Sequence, residues 1–129
     1  MRRPIQIALT VLALAAVPAL GGCESMRSKP GPDGTAFSLC TLDGLLNASP
    51  QKVIQASENV MKEQEFHIAS SDATGVDGKI VAHTALDKEI AITVKRESDT
   101  SSKISIRVGS FGDQAMSRDL YEKIKAKLQ

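Results

Sequence analysis

Between residues 66 and 108, hydrophobic and polar residues alternate in four short segments, which predicts β-strands with one buried face. Hairpin turns are expected around residues 72–78, 86–88 and 98–101. Pairing the segments across these turns places their large aliphatic side chains on one common face. The expected pairs are Ile68 with Ala82 and Phe66 with Thr84, then Thr84 with Ile90, Ala82 with Ile92 and Ile80 with Val94, then Val94 with Ile104, Ile92 with Ile106 and Ile90 with Val108. Because a slip of one residue would turn a strand over, this agreement favours an antiparallel meander.

Two other segments repeat apolar residues every three or four positions, as amphipathic helices do. The first begins at Ser49 and Pro50, because serine suits a helix N-cap and proline the first helical position, and continues to Glu65. The second follows residues 109–113 at the end of the chain. Its apolar stripe consists of Met116, Leu120, Ile124 and Leu128.

Residues 35–42 contain threonine, phenylalanine and alternating polarity, which predicts one further strand that includes Cys40 as a small, buried or half-buried hydrophobic residue. The element order is then β-α-β-β-β-β-α, an α+β fold. We expect a five-stranded antiparallel sheet with two helices packed on one face and the other face open. In so short a meander, the first strand is expected beside the last.

Residues 109–113 (GSFGD) join the last strand to the final helix. Glycines before a helix can bind phosphate, but Asp113 brings a negative charge there, and the lysine of a P-loop is missing. A structural role is favoured instead. With Gly112 as the N-cap, Phe111 would pack against Met116 as a hydrophobic staple.

The first 23 residues predict where the protein is delivered. Arg2 and Arg3 precede an apolar stretch over residues 5–20, as in a secretory signal peptide. Residues 20–23 (LGGC) resemble the lipobox of bacterial lipoproteins. The resemblance implies that the Cys23 sulfur receives a diacylglyceryl group, that the chain is cleaved after residue 22, and that the new amine is acylated.

Three segments follow from this interpretation: a lipoprotein signal peptide (residues 1–22), a lipidated cysteine with a flexible tether (23–34), and a single α+β domain (35–129). Residues 24–34 are rich in Ser, Pro, Gly and charge, which is typical of a tether. We expect the protein in the bacterial cell envelope, facing the periplasm. Glu24 stands where aspartate retains enterobacterial lipoproteins in the inner membrane, which favours the outer membrane.

Composition excludes several classes of protein. The 129-residue chain has 16 Lys+Arg, 15 Asp+Glu and 3% aromatic residues, so neither a strongly basic nucleic-acid binder nor a base-stacking platform is expected. Removing residues 1–22, which include Arg2 and Arg3, changes the formal charge from +1 to −1. Attraction to anionic lipid headgroups is therefore not expected to hold the protein at a membrane.

Residues 105–113 (SIRVGSFGD), followed by the helix over residues 116–128, resemble an uncharacterised family of small bacterial lipoproteins that carry a domain of unknown function. Residues 47–50 (NASP) and 77–79 (DGK) fit the same family. The resemblance covers most of residues 35–129. It implies a strand, a glycine turn and a terminal helix, and it implies no activity.

The open face of the predicted sheet holds the candidate binding residues. The register that pairs Ile68 with Ala82 also pairs His67 with His83 there. Zinc accepts Cys and His ligands, but the strand order places Cys40 away from both histidines, so no metal site is predicted. The rest of the face is small or weakly polar: Ala69, Val81, Ala91, Thr93, Lys95, Ser105 and Arg107.

No residues with the spacing of a nucleophile and its base, or of a catalytic carboxylate pair, occur in the sequence, so we expect no enzymatic activity and no cofactor. We expect a lipid-anchored envelope protein, held through the lipid on Cys23, that binds another envelope protein or a cell-wall component. The candidate binding residues are His67, His83, Thr93, Lys95 and Arg107. The alternative is a periplasmic module that binds a small ligand or metal beside His67 and His83. The sequence leaves the oligomeric state open.

Overall fold

The computed structural model describes residues 34–129, so the predicted signal peptide, Cys23 and residues 24–33 of the predicted tether lie outside the described residues. The predicted α+β class is confirmed: one antiparallel sheet carries two helices on the same face. Its strands lie in the order β1-β2-β6-β5-β4-β3. The elements are β1 (Ala36–Ser38), β2 (Thr41–Leu46), α1 (Pro50–Glu63), β3 (His67–Ala73), β4 (Asp77–His83), β5 (Glu89–Arg96), β6 (Ser102–Val108) and α2 (Gln114–Lys127).

The sheet has six strands rather than the predicted five, because residues 35–42 fold as part of a hairpin and not as one strand. Ser38 of β1 lies opposite Thr41 of β2. Leu39 and Cys40 form the turn between them, with φ angles of 49° and 67°. Asn and Gly usually occupy such two-residue turns, so the pair Leu-Cys gives no sequence signal for one. Cys40 therefore lies in a turn and not within the predicted strand, and it is half-buried, one of the two states expected for it.

The meander of β3 to β6 is confirmed, but the first strand, β1, is not beside the last as predicted; β2 lies between β1 and β6 and shares only residues 41 and 42 with the predicted first strand. All three expected pairs between β5 and β6 are present, and so is the pair of Ile68 with Ala82. Between β4 and β5 the prediction is wrong by two residues, since Ile90 lies opposite Ala82 and not Thr84. The reason is a longer turn, in which the Thr84 N–H donates to the Lys88 carbonyl at 3.0 Å.

A shift of two residues preserves which face each side chain occupies, so the large aliphatic residues still share the inner face. Residues of the inner face are fully buried on β4, β5 and β6. They are Ile80, Ala82, Ile90, Ile92, Val94, Ile104, Ile106 and Val108. β3 begins at His67, so Phe66 precedes the strand and its expected pair with Thr84 is absent from the β3–β4 ladder.

β3 departs from a regular ladder at Ala69, where the register shifts between Ile68 and Ser70. Ala69 is the additional residue of this β-bulge. Beyond it, Ser71 lies on the inner side, where its hydroxyl donates to the Glu58 carboxylate of α1. The segment 69–73 contains small and polar residues, which give no alternation from which a bulge could be predicted.

The helices approach the sheet closely at two glycines. A Cβ atom at Gly44 would lie 2.6 Å from the Tyr121 ring of α2, and one at Gly78 would lie 2.5 Å from Ile54 of α1. The Tyr121 hydroxyl also donates to the Leu45 carbonyl at 2.9 Å, which fixes α2 against β2. The absence of side chains at these glycines thus sets the separation between the helices and the sheet.

At the N-terminus of α2, the predicted hydrophobic staple between Phe111 and Met116 is not formed. Asp113, not Gly112, is the N-cap, and its carboxylate accepts a hydrogen bond from the Met116 N–H at 3.0 Å. Phe111 is 91% exposed, so its predicted packing against Met116 is wrong. The N-cap of α1 is Ser49 and its first residue is Pro50, both as predicted, although α1 ends at Glu63.

Candidate functional site

The face of the sheet opposite the helices contains all five predicted binding residues. Within residues 34–129, both helices contact the inner face. On β4, β5 and β6 the candidate residues alternate with buried ones, so their side chains belong to the open face. Their positions spread over the length of the strands: His67 and His83 lie at one end, Thr93 and Lys95 nearer the other.

At the first end, His67, His83 and Glu89 occupy directly opposed positions on β3, β4 and β5. His67 is exposed and His83 half-buried. Within the described part of the chain, no group of three or more His, Cys, Asp or Glu side chains is arranged to hold a metal ion. Cys40 belongs to the β1–β2 turn, and β2 is four strands from β3, about 19 Å away, so it cannot join the histidines.

Toward the other end, two lysines face each other. Lys95 of β5 lies directly opposite Lys103 of β6, and Lys79 of β4 lies opposite Thr93. None of the three lysines forms a salt bridge with another residue in the range 34–129. Like charges at directly opposed positions repel each other, and an anion between Lys95 and Lys103 would relieve this repulsion. Lys103 is absent from the predicted candidates, although the expected pair of Val94 with Ile104 implies its position opposite Lys95.

Two carboxylates of the same face are engaged by hydroxyl groups. The Ser105 hydroxyl donates to Asp43 at 2.6 Å, and the Thr74 hydroxyl donates to Asp77 at 2.8 Å. Asp77 lies opposite Lys95 without forming a salt bridge to it. Asp72 of β3 lies opposite Lys79, also without a salt bridge to it, so carboxylates as well as ammonium groups of this face lack an oppositely charged partner within residues 34–129.

Arg107 lies beside an open groove of about 580 Å³ between the β4–β5 turn and the β6–α2 loop. Its guanidinium Nη2 donates to the Ser110 carbonyl at 2.7 Å, which holds this loop against β6. Lys88, Glu89 and Phe111 also line the groove. The groove is not predictable from the strand pattern, because its walls come largely from turns.

Three connections meet at the end of the sheet that carries this groove, and we call this region the turn end. They are the β1–β2 turn (residues 39–40), the β4–β5 turn (84–88) and the β6–α2 loop (109–113). Each exposes a large hydrophobic side chain: Leu39 is 78% exposed, Leu86 92% and Phe111 91%. Sequence patterns place Leu39 in a strand and Phe111 in the core, so this cluster is visible only in the structure.

Both helices in residues 34–129 are too short to cross a membrane. A search of curated proteins finds no significant match to the chain. One family matches residues 6–127, which is nearly the whole sequence, and its description is "Protein of unknown function (DUF3568)". The resemblance of residues 105–113 and the following helix to an uncharacterised domain agrees with this match. The chain belongs to the DUF3568 family.

Proposed function

We propose that the protein is a lipid-anchored component of the bacterial cell envelope that binds a carboxylate-bearing partner through the open face of its sheet, without catalysing a reaction. Residues 20–23 (LGGC) follow the apolar stretch at residues 5–20, and this order supports the anchor. The family match begins at residue 6, so residues 20–23 lie inside the range that the family model covers.

The anchor acts through the sulfur of Cys23, which forms a thioether to a diacylglyceryl group, and through an acyl chain on the amine released by cleavage after residue 22. One acyl chain gives only reversible membrane binding, whereas two or more hold a protein stably. The domain then faces the periplasm. Glu24, in place of the retaining aspartate, favours the outer membrane.

The opposed pair Lys95 and Lys103 is the observation that carries the binding proposal. Together with Lys79 it places three ammonium groups around the Thr93 hydroxyl on a flat surface. A bound carboxylate would relieve the repulsion between the two opposed lysines and accept their hydrogen bonds. Acidic proteins and the peptide carboxylates of the cell wall both supply such groups. Arg107 lies opposite Ala91, two residues beyond the pair of Thr93 with Ser105, and extends the same surface toward the turn end.

Replacing each cysteine separately tests the anchor. Cys23→Ser is expected to abolish incorporation of a labelled fatty acid and to remove the protein from the membrane fraction. Cys40→Ser is the matched control, since its thiol lies in the β1–β2 turn and takes no part in the proposed processing. Lipid labelling of the Cys23→Ser protein would overturn the anchor.

Charge reversal on the open face tests the binding site. In intact cells, Lys95→Glu combined with Lys103→Glu is expected to reduce crosslinking to the envelope partner several-fold, while the thermal stability of the protein is retained. Lys52→Glu, at an exposed position of α1 on the other side of the molecule, is the control. Equal crosslinking yields for the double variant and the control would exclude the open face as the site.

A small-ligand or metal site beside His67 and His83 is a second candidate, favoured by the row that these residues form with Glu89. Zinc or copper would then raise the melting temperature of the protein, and His83→Ala would abolish the rise. An unchanged melting temperature in the presence of both metals would exclude the metal version.

A further inference from the structure

We propose that the turn end of the domain rests on the membrane surface, with the side chains of Leu39, Leu86 and Phe111 inserted among the lipids. This inference rests on the proposed lipid anchor at Cys23, which would bring the domain to the bilayer. It concerns a different surface from the open face, because the three residues project from turns and not from the strands.

The three connections of the turn end are fixed to one another. A Cβ atom at Gly112 would lie 2.5 Å from the Cys40 carbonyl, so the β6–α2 loop rests directly on the β1–β2 turn. The Gly109 N–H donates to the Glu89 carbonyl at 2.7 Å, and Lys88 forms a salt bridge of 3.7 Å with Asp113. The three exposed apolar side chains therefore form one end of the domain and move with it.

The opposite end of the sheet differs in character. Its β5–β6 turn, residues 97–101, contains two acids, two serines and a threonine. Its β3–β4 turn exposes Val76, which is 63% exposed, and Leu45 of β2, opposite Lys103, is 59% exposed. An end with three exposed apolar side chains in its turns can insert into a lipid surface, whereas an end whose turns are mostly polar and charged is better solvated by water.

The length of chain before the domain allows this orientation. Gly34 is the first described residue and precedes Leu39 by five positions. At ~3.3 Å per residue, about 16 Å of chain joins Gly34 to Leu39 at the turn end. Gly34 follows Cys23 by eleven positions, a length of chain that can span at most ~36–40 Å. The lipid on Cys23 and the turn end can therefore reach the same bilayer surface together.

The charges near the turn end predict what kind of lipid is required. Lys88 and Arg107 are accompanied there by the acids Asp87, Glu89 and Asp113. These charges give no net attraction for anionic headgroups. Contact is expected to depend on apolar insertion and to occur on zwitterionic vesicles, which distinguishes it from electrostatic adsorption.

The sequence has no tryptophan, so a single introduced indole reports on its own surroundings. The full-length gene carrying Phe111→Trp is expressed, and the processed protein is purified from membranes and reconstituted into phosphatidylcholine vesicles. Its fluorescence is expected to shift to shorter wavelength and to be quenched several-fold more by brominated lipids than that of Val76→Trp, the matched control at the opposite end. Adding Phe111→Asp to a Leu86→Trp protein is expected to reduce the quenching of that second reporter.

Each outcome decides the proposal. If the protein binds vesicles but the quenching is equal at both ends, or stronger for Val76→Trp, the proposed contact of the turn end with the membrane is wrong. The lipid anchor at Cys23 would be unaffected by that result. Protein that does not float with the vesicles overturns the anchor and, with it, the contact. All three reporter positions are exposed, so matching melting curves establish that the variants are folded.

Discussion

The two ends of the sheet are built in different ways. At the turn end, three residues other than glycine have positive φ angles: Leu39, Cys40 and Asp87. Gly109 and Gly112 have positive φ angles there as well. At the opposite end, the described β3–β4 and β5–β6 turns contain no residue with positive φ.

The opposite end relies on local hydrogen bonds instead. The Thr74 hydroxyl accepts from the Val76 and Asp77 N–H groups, at 3.2 and 3.1 Å. The Ser98 hydroxyl accepts from the Ser101 N–H at 3.1 Å. Side chains of this kind stabilise turns within a few residues of themselves.

A left-handed conformation in a residue other than glycine or asparagine costs roughly 1 kcal/mol and persists only where neighbouring parts of the structure hold it. Positive φ angles held by contacts between connections therefore distinguish the turn end; both ends contain local hydrogen bonds, and at the opposite end the Arg96 N–H also donates to the Val76 carbonyl at 2.8 Å. Changes at the turn end should act over a distance, whereas changes at the opposite end should stay local.

Gly112→Ala is expected to have the largest effect on stability. The new methyl group would lie 2.5 Å from the Cys40 carbonyl and 2.7 Å from its Cα, at a φ of +74°. We expect a loss of about 2–3 kcal/mol in the free energy of unfolding, measured by urea denaturation. Gly75→Ala is the control at the opposite end, where no atom lies within 4 Å. Equal losses for the two variants would contradict the difference between the ends.

Replacing Leu39 by Asn and Cys40 by Gly is expected to stabilise the protein. Asn and Gly are the residues that a two-residue turn with positive φ angles favours, and Leu39 is exposed, so little packing is lost. A gain of about 1 kcal/mol should appear as a rise in the urea midpoint at unchanged slope. An unchanged or lower midpoint would show that this turn is not strained.

Asp113→Ala is expected to lose about 1 kcal/mol, because the N-cap hydrogen bond to the Met116 N–H disappears. Ser49→Ala makes the matched comparison at the N-terminus of α1, where the N-cap side chain forms no hydrogen bond. Its loss should be only a few tenths of a kcal/mol. A larger loss for Ser49→Ala than for Asp113→Ala, by thermal or urea unfolding, would reverse the expected order.

Phe111→Ala is expected to leave stability within about 0.5 kcal/mol of the unsubstituted protein, because the ring is 91% exposed. Its effect should appear only in membrane contact. If calorimetry showed that Phe111→Ala lowers the free energy of unfolding by more than about 1 kcal/mol, roughly the contribution of a buried contact, Phe111 would pack against Met116 after all.

Alternation made the inner and outer faces of β4, β5 and β6 predictable, since large aliphatic residues such as Ile92 recur at every second position. The same alternation placed Thr93, Lys95 and Arg107 on the open face. The β1–β2 turn was not predictable, because Leu39 and Cys40 have none of the features that favour positive φ. The misplacement of Phe111 has a related cause: hydrophobicity indicates burial only where a neighbouring element covers the side chain.

The bulge at Ala69 has a consequence for how molecules meet one another. β3 and β1 are the two edges of the sheet, and an edge strand presents unpaired N–H and C=O groups to any strand nearby. On β3 the ladder is interrupted at Ala69, and β1 is only three residues long. Neither edge offers a long, regular template, so copies crowded side by side should resist joining their sheets into fibrils.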